Sequence, residues 1–157
     1  QERRAKEFKE KTELFTSALD VDETIAQLLI TEGFRTIEEI AYVELAELES
    51  IEGFNPELAT ELQNRAKAYL AKIEQDYFDN GHKAGMADDL LKFDFIKRPT
   101  IIKLGEAGIK SLSDLADLAS DELVEILGED NMSLRLADRV IMKARELAYG
   151  IVPEEDA

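Results

Sequence analysis

An internal repeat constrains the fold of this chain more than any other feature of its sequence. Residues 29–41 resemble residues 104–116, at a constant offset of 75 positions. The offset holds as far as Gly53, which corresponds to Gly128, and the second copy then gains three residues. Each copy of such a repeat is a unit of structure, so we expect two tandem domains with one fold.

Both copies are predicted to be helical. Apolar residues recur with a helical period after the second glycine of each copy, from Leu58 to Ile73 and from Leu134 to Ala148. No segment alternates apolar and polar residues as a strand would. Each copy therefore predicts a helix, a glycine turn, two short helices, a second glycine turn and a longer helix. The fold class is all-α, with two tandem five-helix bundles of the helix-hairpin-helix, SAM-domain-like type.

The boundaries of these domains follow from the repeat and from turn residues. We expect a lead-in helix from a preceding domain over 1–12, and the chain, which lacks an initial methionine, to be part of a longer protein. The first repeat is predicted over 13–71 and the second over 88–150. Between them, Asp79-Asn80-Gly81 and Gly85 predict an exposed linker over 72–87 with a frayed helical start. Residues 151–157 form an acidic tail.

Capping residues mark the predicted helix ends. Thr36 with Glu39 fits a capping box, and Ser111 with Asp114 is a weaker version at the matching position. Further candidate N-caps are Asn55, which precedes a proline, Ser120 and Ser133. We expect six residues to form the hairpin turns and to be structural: Gly33, Phe34, Gly53, Phe54, Gly108 and Gly128.

The charge of the chain indicates its kind of partner. The formal net charge is −16, which repels phosphate backbones and attracts basic protein surfaces. From Asp20 to Ala71 there are twelve acids and three bases, whereas Asp88 to Tyr149 holds thirteen acids and nine bases. One acidic group in the second repeat is a candidate docking surface for a basic partner; it comprises Asp121, Glu122, Glu125, Glu129 and Asp130.

No residue pattern points to catalysis or to a bound cofactor. The only histidine, His82, falls in the predicted linker, where we expect a solvated loop side chain. The chain has no cysteine, so thiolate metal sites and disulfides are excluded. Asp20-Val21-Asp22-Glu23 resembles a calcium loop slightly, but it lacks the glycine of that loop and fits helix-capping acids better. We expect no catalytic residues, no cofactor, no metal, no membrane association and a monomer.

The hairpins also allow a nucleic-acid-binding interpretation. Residues 48–55 resemble the helix-hairpin-helix motif, in which the backbone N–H groups of a Gly-hydrophobic-Gly turn bind DNA phosphates. The second glycine is missing here, and Glu49, Glu52 and Glu57 surround the turn. We therefore expect the fold without much direct nucleic-acid binding. The basic residues of the last helix, which include Arg135, Arg139, Lys143 and Arg145, are the alternative place for such contact.

A family resemblance joins these observations. Residues 13–23, residues 28–34, Ile37 to Val43 and Leu45 to Phe54 are similar to the C-terminal acidic repeats of the bacterial transcription factor NusA, as they follow the second KH domain. Asp88-Asp89-Leu90-Leu91 and residues 108–116 resemble the second repeat of that family. The resemblance covers nearly the whole chain, although the second glycine turn is longer here.

The resemblance implies a non-enzymatic role in transcription elongation, termination and antitermination. In that family the second repeat binds the C-terminal domain of the RNA polymerase α subunit. That contact relieves an autoinhibition in which the repeat covers the RNA-binding S1 and KH domains of the same protein. The first repeat of the family can bind an antitermination protein. The expected location is the cytoplasm, and an exposed linker would let the second repeat move between its two targets.

Overall fold

Ten helices form the part of the chain that the computed structural model describes, residues 1–150, and this part contains no strand. The predicted all-α class is confirmed. The chain divides into two compact units, Gln1–Gln75 and Asp76–Ala157. Five helices begin in the first unit: α1 (Glu2–Leu19), α2 (Glu23–Thr31), α3 (Ile37–Tyr42), α4 (Leu45–Glu49) and α5 (Pro56–Lys83). Five more lie in the second: α6 (Asp88–Leu91), α7 (Arg98–Glu106), α8 (Leu112–Ala116), α9 (Ser120–Leu127) and α10 (Leu134–Tyr149).

The predicted capping boxes start the equivalent short helices α3 and α8. The backbone N–H of Glu39 donates to Thr36 Oγ1 at 3.2 Å, and the N–H of Thr36 donates to Glu39 Oε1 at 3.1 Å. In α8 the N–H of Asp114 donates to Ser111 Oγ at 3.1 Å, and the N–H of Ser111 returns to Asp114 Oδ2 at 3.3 Å. Each box satisfies two backbone donors that a helix start leaves unpaired, and both predictions are confirmed.

Each unit has its own apolar core. In the first unit six large side chains are almost wholly buried: Phe15, Leu19, Leu29, Ile40, Leu48 and Leu62. In the second unit the corresponding set is Leu90, Leu91, Ile101, Leu104, Leu115 and Leu123. Leu29 and Leu104 hold the same repeat position, one turn before the first glycine of each copy. Burial of such side chains is the main force that holds bundles of this size together.

The segment predicted as an exposed linker is largely helical, so that prediction was wrong. Helix α5 continues to Lys83, and Tyr77, Gly81 and Met86 are buried in the second unit. The reason is Gly81, whose sequence context suggests a turn. A Cβ on Gly81 would lie 2.5 Å from Leu91 Cδ2, so the glycine permits α5 to pack closely against α6. Only Gly85, with a φ of 83°, makes the turn.

The start of the chain also differs from its predicted division at residue 12. Helix α1 is continuous from Glu2 to Leu19, and Thr12, Phe15 and Leu19 are its buried residues. The lead-in and the first helix of the repeat are therefore one element. Asp20, the residue that follows the end of α1, has a positive φ of 53°. The predicted acidic tail, 151–157, lies outside the described residues.

Candidate partner-docking site

The structure brings three of the five predicted docking acids into one groove. Asp121, Glu125, Glu129, Val124 and Leu134 line this groove, which has a volume of about 480 Å³ between α9 and the start of α10. Asp121 and Glu125 are one helical turn apart on α9, and Glu129 follows Gly128. We call this surface the acidic groove.

The other two predicted acids have different positions. Glu122 Oε1 accepts the backbone N–H of Ala119 at 2.9 Å, so this carboxylate caps α9 rather than facing the groove. Ala119, and not Ser120 as predicted, is the residue before the first turn of that helix. Asp130 lies exposed in the turn after Gly128 and is not part of the groove lining.

The acidic groove combines charge with apolar surface. The helical period predicts Leu134 on the buried face of α10, but its side chain is 56% exposed. Among residues 1–150, Glu125 and Glu129 have no hydrogen-bond or ion-pair partner, and Asp121 accepts only the N–H of Glu122. A basic side chain with an aliphatic stem could therefore pack on Leu134 and place its charge against free carboxylates.

The six predicted turn residues lie at the ends of helices. All four of the glycines have positive φ, between 90° and 103°, a conformation that glycine adopts at little cost. Phe34 and Phe54 follow the first two glycines and pack against the core of the first unit. The backbone N–H of Phe54 donates to Ile51 O at 2.9 Å. The structure places these residues in the turns.

The second hairpin turn is poorly suited to phosphate. The N–H of Gly128 donates to Val124 O at 2.7 Å, so it is not available to a ligand. Glu129 and Asp130 follow at once and carry the same sign of charge as a phosphate. The base-bearing face of α10 is different, because Arg135 and Arg139 are exposed and have no partner within residues 1–150.

The single histidine is not in an irregular loop. His82 lies in the last turn of α5, and its Nε2 contacts Asp88 Oδ1 at the start of α6. This hydrogen bond lowers the pKa of Asp88 below its ordinary value of 3.8. His82 and Asp88 contact each other as two residues only. In the described part of the chain, no three histidine or carboxylate side chains converge as metal ligands. The pair links the consecutive helices α5 and α6.

Sequence reasoning missed the side chains that cap helix ends from a distance. Gln63 Nε2 donates to Val43 O at 2.6 Å, beyond the end of α3. Arg65 Nη1 donates to Leu19 O at 3.0 Å and to Asp20 O at 2.7 Å. Arg145 Nε donates to Ala116 O at 2.8 Å, at the end of α8. Their partners are 20 to 46 residues away in the chain, and no local pattern signals them.

None of the helices described over residues 1–150 combines the length and the apolar character needed to cross a bilayer. The fold and the site define a tandem pair of non-identical helix-hairpin-helix bodies with an acidic groove on the second. The family model for the SAM-like helix-hairpin-helix tandem matches residues 12–68 and 87–146. The chain belongs to this family.

Two relatives of this chain are named transcription termination/antitermination protein NusA. The protein of Rickettsia prowazekii (strain Madrid E) is 36% identical over 143 residues, which cover 91% of this chain and 28% of the relative. That of Rickettsia conorii (strain ATCC VR-613 / Malish 7) is 34% identical over 144 residues, with 92% and 29% covered. The predicted resemblance to NusA is confirmed, and the chain spans less than a third of the length of these relatives.

Proposed function

We propose that this chain is the non-catalytic interaction region of a NusA-like transcription termination and antitermination factor in the cytoplasm. Its partner would be the C-terminal domain of the RNA polymerase α subunit. The acidic groove carries this proposal, because it offers free carboxylates beside the exposed side chain of Leu134. The similarity to two NusA proteins supports the transcription role.

Neutralising the groove tests the docking site. We would titrate the labelled chain with the isolated C-terminal domain of the polymerase α subunit and follow the NMR spectrum of the chain. The triple change Asp121→Asn, Glu125→Gln and Glu129→Gln should weaken binding about tenfold, from three exposed charge contacts of less than 1 kcal/mol each. Glu122 is left intact because it caps α9.

A matched control removes the same charge from the first unit. Glu38, Glu44 and Glu47 are exposed, and their carboxylates have no partner among residues 1–150. Their change to glutamine should leave the affinity almost unchanged, since long-range attraction alone is screened at physiological salt. Equal weakening by both triple variants, or by neither, would rule out the acidic groove as the docking site.

The second part of the proposal concerns RNA binding by the whole protein. An acidic body can occupy a basic RNA-binding surface and so compete with RNA. We propose that the second unit covers the S1 and KH domains in this way, and that binding to the polymerase domain releases them. The chain, added to isolated S1 and KH domains, should raise the RNA concentration needed for half-saturation. An excess of the polymerase domain should reverse the effect, and RNA binding that ignores both additions would contradict the autoinhibition.

Direct binding of nucleic acid is the alternative function, and the exposed Arg135 and Arg139 on α10 are the observation that favours it. Such binding would fall steeply with salt, because each neutralised phosphate releases a counterion. Saturable RNA binding by the chain at physiological salt, lost in an Arg135→Ala, Arg139→Ala variant, would favour this alternative.

Antitermination proteins are further proposed partners, with the first unit as their site.

A further inference from the structure

A second concave surface lies in the second unit, apart from the acidic groove. It is a pocket of about 320 Å³ beside the end of α5 and the end of α7. Pockets of this size that are mostly apolar and hold a few polar groups are the usual places where proteins bind ligands. Its apolar lining consists of Tyr77, Gly81, Ala84, Met86, Ile102 and Gly105.

Two glycines in the lining of this pocket allow close side-chain packing there. Neither Gly81 nor Gly105 has a positive φ, so turn geometry does not require them. A Cβ on Gly105 would collide with the sulfur of Met86. In the first repeat the position of Gly105 is taken by Ile30, which is half-buried and packs on the core. The fold therefore accepts a large side chain at this position, and in the second repeat the Met86 side chain occupies that space and forms a wall of the pocket.

The apolar wall suits an aromatic side chain. Met86 is 5% exposed and lines the pocket with its flexible thioether, and sulfur makes favourable contacts with aromatic rings. Ile102 is 45% exposed at the same surface. The Tyr77 hydroxyl donates to Leu91 O at 2.7 Å, so its hydrogen-bonding need is met inside the fold. A ring in the pocket would bury apolar surface without stranding that hydroxyl.

The polar groups of the pocket fit a peptide with a positive charge. The side chains of Asn80 and Glu106 have no hydrogen-bond or ion-pair partner in residues 1–150. The Lys110 ammonium donates to Ala84 O and Gly105 O, both at 2.8 Å, which leaves one of its three N–H groups for a carbonyl oxygen. Glu106 is thus the free charge at the pocket, within a chain of net charge −16.

We propose that this pocket receives one aromatic side chain of a basic peptide segment on a partner protein. The ring lies against Met86 and Ile102, a neighbouring lysine or arginine pairs with Glu106, and the peptide backbone meets Asn80 and Lys110. This site is separate from the acidic groove, and its occupancy does not depend on the contact with RNA polymerase proposed above.

Capped five-residue peptides test the proposal on the whole chain. The probe is glycine-lysine-tryptophan-lysine-glycine, and the readout is the methyl NMR signals of Met86 and Ile102. Saturable shifts are expected with this probe. The same peptide with alanine in place of tryptophan should give no saturable shift, and one with glutamates in place of the lysines should bind less tightly. Absence of saturation with the tryptophan probe would overturn the proposal, as would equal shifts with the alanine peptide.

Variants then locate the contacts. Ala84 is exposed at the pocket, so Ala84→Trp should fill it and abolish the shifts while the remaining spectrum keeps the native pattern. Glu106→Gln should weaken the tryptophan probe about threefold, as expected for one exposed ion pair. Glu125→Gln, in the acidic groove, is the matched control and should change nothing. Equal weakening by Glu106→Gln and Glu125→Gln would show only general attraction of a cation and would overturn the site.

Discussion

The two repeats solve one structural problem with different residues. In the first unit the carbonyls of Ile40 and Val43, at the end of α3, accept hydrogen bonds from Gln63, which reaches across from α5. In the second unit the carbonyls at the end of α8 accept from Arg145, which lies on α10. By the alignment of the repeats, Gln63 corresponds to Ile141 rather than to Arg145. The fold requires hydrogen-bond donors for the unpaired carbonyls at the ends of its short helices. The residue that supplies the donor can differ between the repeats.

The second glycine turns teach the same lesson. In the first unit Asn55 follows the turn directly, and its Oδ1 accepts the N–H of Leu58 at 2.7 Å. The second unit has three more residues, of which Met132 is buried at 3% exposure. Ser133 then takes the capping role, with its Oγ accepting the N–H of Leu136 at 3.1 Å. A buried side chain thus anchors the longer turn, and the helix that follows begins in the same way.

The largest expected effect is the loss of a core leucine at the position that both repeats share. Leu29→Ala and Leu104→Ala should each reduce the free energy of unfolding by about 3 kcal/mol, because both side chains are fully buried. Urea denaturation would measure the loss, and hydrogen exchange would show which unit opens. Leu147→Ala, at a 54% exposed position, is the control. If the two variants lost no more stability than the control, Leu29 and Leu104 would not hold equivalent core positions in the two units.

Valine in the second glycine turn of each unit should have the next largest effect. Gly53 and Gly128 have φ values of 90° and 92°, and an added Cβ would meet open space or Asn131 at 3.7 Å. The cost is therefore backbone strain, about 2 kcal/mol for Gly53→Val and for Gly128→Val. Asparagine at either position should cost less, because it tolerates positive φ better. Thermal unfolding compares the pairs, and equal costs for valine and asparagine would argue against strain.

Removal of the side chains that cap helix ends from a distance should have a smaller effect on the free energy of unfolding, and one that differs between the two units. Gln63→Ala leaves part-buried carbonyls without a donor and should cost about 1.5 kcal/mol. Arg145→Ala should cost about 1 kcal/mol, since Arg145 is exposed and water can replace it. Chemical denaturation measures both variants, with Lys67→Ala as a control at an exposed site of α5. If neither variant differed from this control, the caps would not stabilise either unit.

The smallest effect is a dependence on pH that comes from the hydrogen bond between His82 and Asp88 in the second unit. The hydrogen bond from His82 lowers the pKa of Asp88, so folding favours the ionised carboxylate. The stabilisation is present above the ordinary carboxyl pKa and is lost as pH falls through the lowered folded value. Asp88→Asn should therefore lower the urea midpoint slightly at pH 6 and not at pH 2.5. A difference that persisted at pH 2.5 would assign the effect to packing.

The residues that could be predicted are those with local causes. A capping box needs two side chains three positions apart, so Thr36 and Ser111 are visible in the sequence. Gly81 suggests a turn when only its sequence neighbours are considered. The physical reason for a glycine at this position is contact with Leu91, which is ten residues away on another helix. The sequence identifies the acidic residues of the candidate docking surface but not their separate roles. Only the structure shows that Glu122 caps α9 whereas Glu125 lines the groove. The pocket proposed to bind an aromatic side chain is formed by residues of α5 and α7 that lie far apart in the sequence, and no short motif encodes it.

The glycines of this chain are required for two different physical reasons: a left-handed backbone conformation at some positions and close contact with a neighbouring side chain at others. Six have positive φ, among them Gly33 and Gly108, and these six would accept a D-amino acid more readily than an L-amino acid. Gly81 and Gly105 lie in right-handed helices without positive φ, where a D-residue has the disfavoured handedness, and an L-residue there would collide with Leu91 or Met86. Chemical synthesis with D-alanine would thus sort turn glycines from packing glycines. In a scan with L-residues alone, the two kinds look equally intolerant.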